Sequence, residues 1–257
     1  MSQISGHADN HKEGNDFIPS SKWGDCVLAD VELIKSNLLD IEKKIAPCKP
    51  RIIGVTKYYG VDAVVEGYKA GLRDFAESRV LDAISKLEAL PQEIKQNSTF
   101  HFIGHLQTNK AEKAVKHFDY IHSVDSLKLA KIISETACQL NKREKILLQV
   151  NLANEEQKFG YTKEGLKKDF KDIYNLLGLD VVGLMCMAPF DASDEELRAF
   201  LIIVICAVSF ITINLYLTFK PSPIPKRFYH TYPFVATTNI FEGNFRKNSN
   251  IIFFLLI

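Results

Sequence analysis

The sequence of 257 residues has no cysteine framework, no glycine-rich nucleotide loop and no excess of either charge. Its five cysteines (Cys26, Cys48, Cys138, Cys186 and Cys206) are scattered, odd in number and never paired as CxxC or clustered with histidine. That argues against a disulfide framework or a zinc site and fits a reducing compartment. Neither GxGxxG nor GxxxxGK followed by Ser or Thr occurs, so nothing favours a nucleotide-binding open sheet. A formal net charge of +1, without a basic block or an aromatic-basic repeat, argues against a nucleic-acid partner held by phosphate contacts. No arginine precedes Arg51, and the first twenty residues are polar, with two His, two Asp and one Glu. They lack both the apolar run of a signal peptide and the basic character of a transit peptide. Residues 1–26 therefore read as a disordered extension of a cytoplasmic protein.

The balanced charge conceals a break near residue 200. Residues 200–257 hold one acid, Glu242, against five bases (Lys220, Lys226, Arg227, Arg246 and Lys247). The other 27 bases and 30 acids lie in residues 1–199. The same tail carries 9 of the 17 phenylalanines and 4 of the 9 prolines, so two kinds of sequence are joined here. The domain reading is an extension over 1–26, a barrel over 27–199 and a hydrophobic, basic tail over 200–257.

Before the break the pattern alternates. Val27, Leu28, Val31, Ile34, Leu38, Ile41 and Ile45 recur at helical spacing and predict an amphipathic helix ending near Pro47. Apolar runs at 51–56, 74–77, 100–104, 120–123, 145–151 and 180–187 then predict strands. Amphipathic stretches at about 61–70, 78–90, 108–117, 126–140 and 163–177 predict helices, with another starting near Ser193. Strand and helix alternating at this spacing imply βαβ units and a parallel sheet. The predicted class is α/β, a TIM (β/α)8-type barrel, incomplete because only six units precede residue 200 and closure needs eight.

Functional side chains in a barrel stand at the C-terminal strand ends. Those ends are Lys57, Glu77 with Ser78, His105, Asp125, Asn151 and Met185 to Met187. The run Ile52-Ile53-Gly54-Val55-Thr56 delivers Lys57 to the mouth. An ammonium over an apolar strand end can be destabilised by desolvation, which favours a nucleophilic amine. The plainer alternative is a lysine that only caps the strand. His101 and His105 share the side of Ile103, but no carboxylate or cysteine is spaced to complete a metal site, and no metal is expected. Met185 and Met187 fit core filling as well as a site.

Two stretches resemble a known family. Gly54-Val55-Thr56-Lys57 and the decapeptide from His101 to Lys110, HFIGHLQTNK, are similar to signatures of the pyridoxal phosphate homeostasis proteins, which share the alanine racemase N-terminal barrel. Ser123-Val124-Asp125-Ser126, Gln149-Val150-Asn151, Gly183-Leu184-Met185 and Met187-Ala188-Pro189-Phe190 follow in order, so the likeness covers residues 27 to 199. The resemblance implies pyridoxal 5′-phosphate as cofactor, with Lys57 forming the internal Schiff base. It implies cofactor contacts at Val55, His101, Met185 and Ser78, and no catalytic residue. Intracellular cofactor homeostasis without turnover is the function implied, with a monomer as the expected state.

The chain departs from the family twice. Phe75-Ala76-Glu77-Ser78 stands where the family has Phe-Gly-Glu-Asn, so Ser78 replaces an amide donor. After residue 200 neither the Ser-Met-Gly-Met-Ser turn nor the Arg-x-Gly-Ser/Thr turn is present, and with them go the phosphate cradle and the partner of the pyridine nitrogen. The uncharged run 199–219 is long enough to span a membrane as a helix. It reads alternatively as non-homologous sequence replacing the family ending, or as a buried replacement helix or strand pair. Strands one and six are expected to have open edges unless the tail or another chain covers them. Two other functions stay open. A racemase-like enzyme would draw on Tyr58 or Tyr59 as its second acid/base, and an inactive or membrane-associated relic would bind no cofactor. Lys158 is a further candidate to accept the aldehyde transiently.

Overall fold

The computed structural model describes residues 30–45, 51–151 and 159–187, together with the backbone of two strands at 235–238 and 252–256. The expected extension 1–26, the helix start at Ser193, the run 199–219 and Lys158 lie outside the described residues. Among the described residues no helix is long and apolar enough to cross a membrane.

Helix α1 (Val31–Ile45) is followed by β1 (Ile53–Val55), α2 (Val61–Lys69), β2 (Asp74–Glu77) and α3 (Val80–Ala89). A short helix α4 (Gln92–Asn97) precedes β3 (Thr99–Phe102) and was not predicted; Pro91 starts it, its fixed φ of −55° suiting a helix entry. A 3₁₀ turn (Thr108–Lys110) leads into α5 (Ala111–His117), then β4 (Tyr120–Val124), α6 (Leu127–Gln139), β5 (Glu144–Gln149), α7 (Lys163–Tyr174) and β6 (Leu179–Met187). The Ser126 hydroxyl accepts from Leu129 N–H at 3.3 Å and Thr162 from Gly165 N–H at 3.1 Å, capping α6 and α7.

Strands β1 to β6 pair in sequence order, each parallel to the next, as the alternating pattern predicts. The tail completes the ring. Strand β7 (Val235–Thr238) pairs parallel to β1, and β8 (Ile252–Leu256) runs antiparallel between β6 and β7, giving the closed order β1-β2-β3-β4-β5-β6-β8-β7. Strands β1 and β6 are expected to have open edges unless the tail or another chain covers them, and here the tail covers both. Unpaired N–H and C=O groups along an edge recruit an extended segment, and the all-apolar Ile252–Leu256 supplies one. The fold is an α/β barrel of six consecutive parallel strands whose sheet is closed by two strands of the tail, one of them reversed.

Alternation along the strands divides the apolar side chains between two cores. Phe75, Phe100, Phe102, Ile121, Ile146 and Leu148 pack outward against the helices. Ile53, Val55, Ala76, Ile103, Leu147 and Met185 form a smaller cluster that fills the barrel interior. That interior cluster is the floor beneath the C-terminal mouth.

Candidate functional site

The mouth is built from the turns that leave the strands. Thr56 follows Val55, and its carbonyl accepts the Tyr59 N–H at 3.0 Å, so Lys57 and Tyr58 occupy the middle of a tight turn. Lys57 is half-buried, and its Nζ lies 4.9 Å from the centroid of the exposed Tyr58 ring. Ser78 is half-buried directly after β2, next to the exit of β3. A Cβ on Gly104 would stand 2.0 Å from the Ser78 carbonyl oxygen. Only glycine lets these two exit turns touch, which gives the glycine of HFIGH its physical reason.

Val55 and Met185 lie in the interior cluster, 7% and 1% exposed. His101 is also buried, but both of its ring nitrogens are engaged inside the barrel. Nε2 is 3.0 Å from Asp74 Oδ1, and Nδ1 is 2.9 Å from His122 Nε2. Its ring stacks on Tyr120 with centroids 4.7 Å apart. A carboxylate only accepts, so the chain is satisfied when His101 donates from Nε2 to Asp74 and His122 donates from Nε2 to His101. Burial holds the pKa of His101 below its ordinary value. It drives that of His122 well below, where the neighbouring His101 adds to the effect. The structure thus brings Val55, His101 and Met185 into the wall of the barrel, and Lys57 and Ser78 to its rim.

The placement of Glu77 at the mouth is corrected. Its carboxylate turns toward α3, where Oε1 accepts from Lys86 Nζ and, at 2.6 Å, from the Thr56 hydroxyl. The side chain is almost wholly buried, and a carboxylate there must find an ammonium. His105 does stand at the mouth. Its ring stacks on Phe159 with centroids 3.7 Å apart, and Nδ1 is 3.4 Å from Asp125 Oδ2. Asn151 donates its N–H to the Tyr161 carbonyl at 3.0 Å. Met187 packs at the edge of the interior cluster. Among the described residues no three His, Cys, Asp or Glu side chains are placed to hold a metal.

Three functional candidates escaped the sequence reading: Asp74, His122 and Lys86. Asp74 and His122 carried no motif, and only the strand register brings them to His101. Lys86 had one faint signal, a cation on a helix flank beside Ala83 and Leu87, both buried. A cavity of about 500 Å³ lies away from the mouth, between α1 and the N-terminal ends of β1 and β2, lined among others by Lys35, Arg51, Arg73 and Asp74.

A pyridoxal ring needs an amine within reach, an apolar wall and polar contacts at its edge. Lys57, the Val55–Ile103–Met185 floor and Ser78 fit those needs. Ile252, the first residue of β8, pairs with Met187, the last of β6, so the C-terminal end of β8 points away from the mouth. Among the described residues no parallel eighth strand ends at the mouth.

Residues 29–203 match the family described as alanine racemase, N-terminal domain. The pyridoxal phosphate homeostasis protein of Synechocystis sp. is 44% identical over 150 residues, 58% of this chain and 68% of that protein. The protein of the same name from Aquifex aeolicus is 33% identical over 150 residues, covering 58% of this chain and 64% of its own length. The chain thus spans about two thirds of these relatives. Among solved structures, PipY of Synechococcus elongatus PCC7942 with PLP bound superposes with a TM-score of 0.63 at 33% identity, over 70% of this chain and 82% of that one. Alanine racemase of Clostridium difficile, at 18% identity and a TM-score of 0.56 over 70% of this chain and 47% of that one, shares the fold alone. The chain belongs to the pyridoxal phosphate homeostasis proteins, within the alanine racemase N-terminal domain family.

Proposed function

We propose that this chain binds pyridoxal 5′-phosphate at the C-terminal mouth of its barrel and serves cofactor homeostasis as a carrier without turnover. The observation that carries the reading is Lys57, half-buried in a tight turn after a strand whose last residue, Val55, belongs to the apolar floor. When bound, the cofactor supplies an aldehyde carbon that a lysine amine can engage reversibly. Lys57 is that amine. Val55 and Met185 exclude water from beneath the ring, Ser78 offers a hydroxyl at the rim, and His101, kept neutral by burial, is fixed inside the barrel by Asp74 and His122. The relatives that carry the homeostasis name and the PLP-bound PipY structure support the choice of cofactor.

The test is a titration of the purified chain with pyridoxal phosphate, followed by borohydride and peptide mapping. A visible absorbance band and a pyridoxyl group on Lys57, both lost in Lys57→Ala, are expected. An unmodified Lys57 at saturating cofactor would overturn the proposal.

A second reading, a racemase-like enzyme, draws on one observation. His105 and Asp125 form a partly exposed acid–base pair at the same mouth, better suited to proton transfer than Tyr58 or Tyr59, which adjoin the lysine itself. Exchange of the α-hydrogen of alanine in deuterated buffer, abolished in His105→Ala, would select it over the carrier.

A further inference from the structure

The turn that presents Lys57 is held from outside the barrel. Thr56 is fully buried and is gripped at its carbonyl, its hydroxyl and its N–H. Its carbonyl oxygen accepts from Lys86 Nζ at 2.7 Å as well as from the Tyr59 N–H, and its hydroxyl donates to Glu77 Oε1 at 2.6 Å. Glu77 and Lys86 pair with each other at 2.5 Å, and their side chains are 4% and 9% exposed. The backbone of the same segment is tied to β2 by the Thr56 N–H donating to the Ala76 carbonyl at 3.0 Å. The Glu77 carbonyl accepts the Ile103 N–H at 2.9 Å, joining β2 to β3. Every one of these contacts lies within one residue of Lys57 or on the group that holds its neighbour.

A buried ion pair of this kind is a weak device for stability. Desolvating two charges offsets most of their attraction, and well-packed apolar side chains often replace such a pair at no cost. Its geometry is specific, however. An ammonium and a carboxylate meet one threonine from α3 and β2, and that threonine is the first residue of the turn bearing Lys57. We infer that Glu77 and Lys86 are positioning residues for Lys57: they fix the Thr56–Tyr59 turn so that the lysine stands half-buried at the rim. The inference rests on the proposed role of Lys57 for its purpose, but the clamp itself is a property of the chain without cofactor.

The experiment uses the full chain without cofactor. Its lysines are acetylated with a limiting amount of acetic anhydride under native conditions, and each rate is read by peptide mass spectrometry relative to exposed Lys43. Three variants are compared with wild type: Lys86→Met, the double variant Glu77→Leu with Lys86→Met, and Ile173→Ala in the buried face of α7. Release of the turn is expected to raise Lys57 labelling by about threefold or more in both clamp variants. The double variant regains the unfolding midpoint that Lys86→Met loses, yet keeps the raised labelling, because the Thr56 carbonyl still lacks its ammonium. Ile173→Ala lowers the midpoint and leaves Lys57 labelling at the wild-type value. Unchanged Lys57 labelling in the double variant, or an equal rise in Ile173→Ala, would overturn the clamp. Failure of wild-type Lys57 to trap pyridoxal phosphate sinks the cofactor proposal instead, and the acetylation rates still decide the clamp.

Discussion

Asp74 Oδ1 stands 3.0 Å from His101 Nε2 and 3.6 Å from a guanidinium nitrogen of Arg51, so one carboxylate joins the buried histidine to the surface charge. Through His101 the contact continues to His122, and both imidazoles are kept neutral by burial. Depressed histidine pKa values mean that the unfolded chain binds more protons than the folded chain below about pH 6.5. Stability is therefore complete above that pH and falls as the solution is acidified, by up to about 1.4 kcal/mol per pH unit for each histidine. His122→Asn should flatten the slope of unfolding free energy between pH 6.5 and 5, measured by urea denaturation. A slope equal to wild type would rule out His122 as a source.

Glu144 pulls the other way. Its carboxyl is 1% exposed at the start of β5, and burial pushes its pKa up to about 7 although Lys142 Nζ approaches to 2.7 Å. Neither carboxyl oxygen accepts a well-aligned hydrogen bond, so the ion pair does not offset the desolvation. The folded chain binds the extra proton, and the stability it confers is present below about pH 4.5 and lost as pH rises through 7. Glu144→Gln should gain up to about 3 kcal/mol over wild type at pH 8 and nothing at pH 4, read from paired denaturation curves.

Gly104→Ala tests the contact between two exit turns. The added Cβ meets the backbone of Ser78, which cannot swing away as a side chain can. A loss of about 1 to 3 kcal/mol is expected in thermal unfolding, with weaker trapping of pyridoxal phosphate because the β2 exit moves. A variant with wild-type stability would show that the turns separate freely.

Ser78→Asn restores the amide that the family carries at this position. If Ser78 contacts the cofactor, the longer donor should tighten pyridoxal phosphate binding by roughly two- to tenfold, the worth of one hydrogen bond. Equilibrium titration at fixed pH measures it, and unchanged affinity removes Ser78 from the site.

Strand β8 covers the backbone edge of β6 over five paired positions, from Gly183 to Met187. A chain shortened to end at residue 251 should aggregate at micromolar concentration and lose cooperative unfolding, because that edge and its apolar side chains are exposed together. Light scattering and circular dichroism follow both. A monomeric, cooperatively unfolding product would mean that the edge needs no cover.

Much of the fold was legible because its signals are local. Short apolar runs placed strands β1 to β6, period-3.6 patterns placed the helices other than α4, and Lys57 was named because a short apolar run ends on it. What the sequence misread or left open lies beyond local reach. Glu77 was placed at the mouth by its position in the strand, yet the partner that turns it outward, Lys86, sits on the following helix. Whether the edges of β1 and β6 stay open was left to the tail or another chain, and pairing needs only an extended segment, which the tail contains.

The sequence by itself therefore determined the alternation of strands and helices, the family likeness and the identity of the amine at the barrel mouth, all carried by contiguous residues. Only the tertiary structure decided which buried charges meet, that His101 faces Asp74 and His122, and that a reversed strand closes the sheet. Those outcomes depend on register and on contacts between distant segments, where burial forces each polar group and each backbone edge to find a partner.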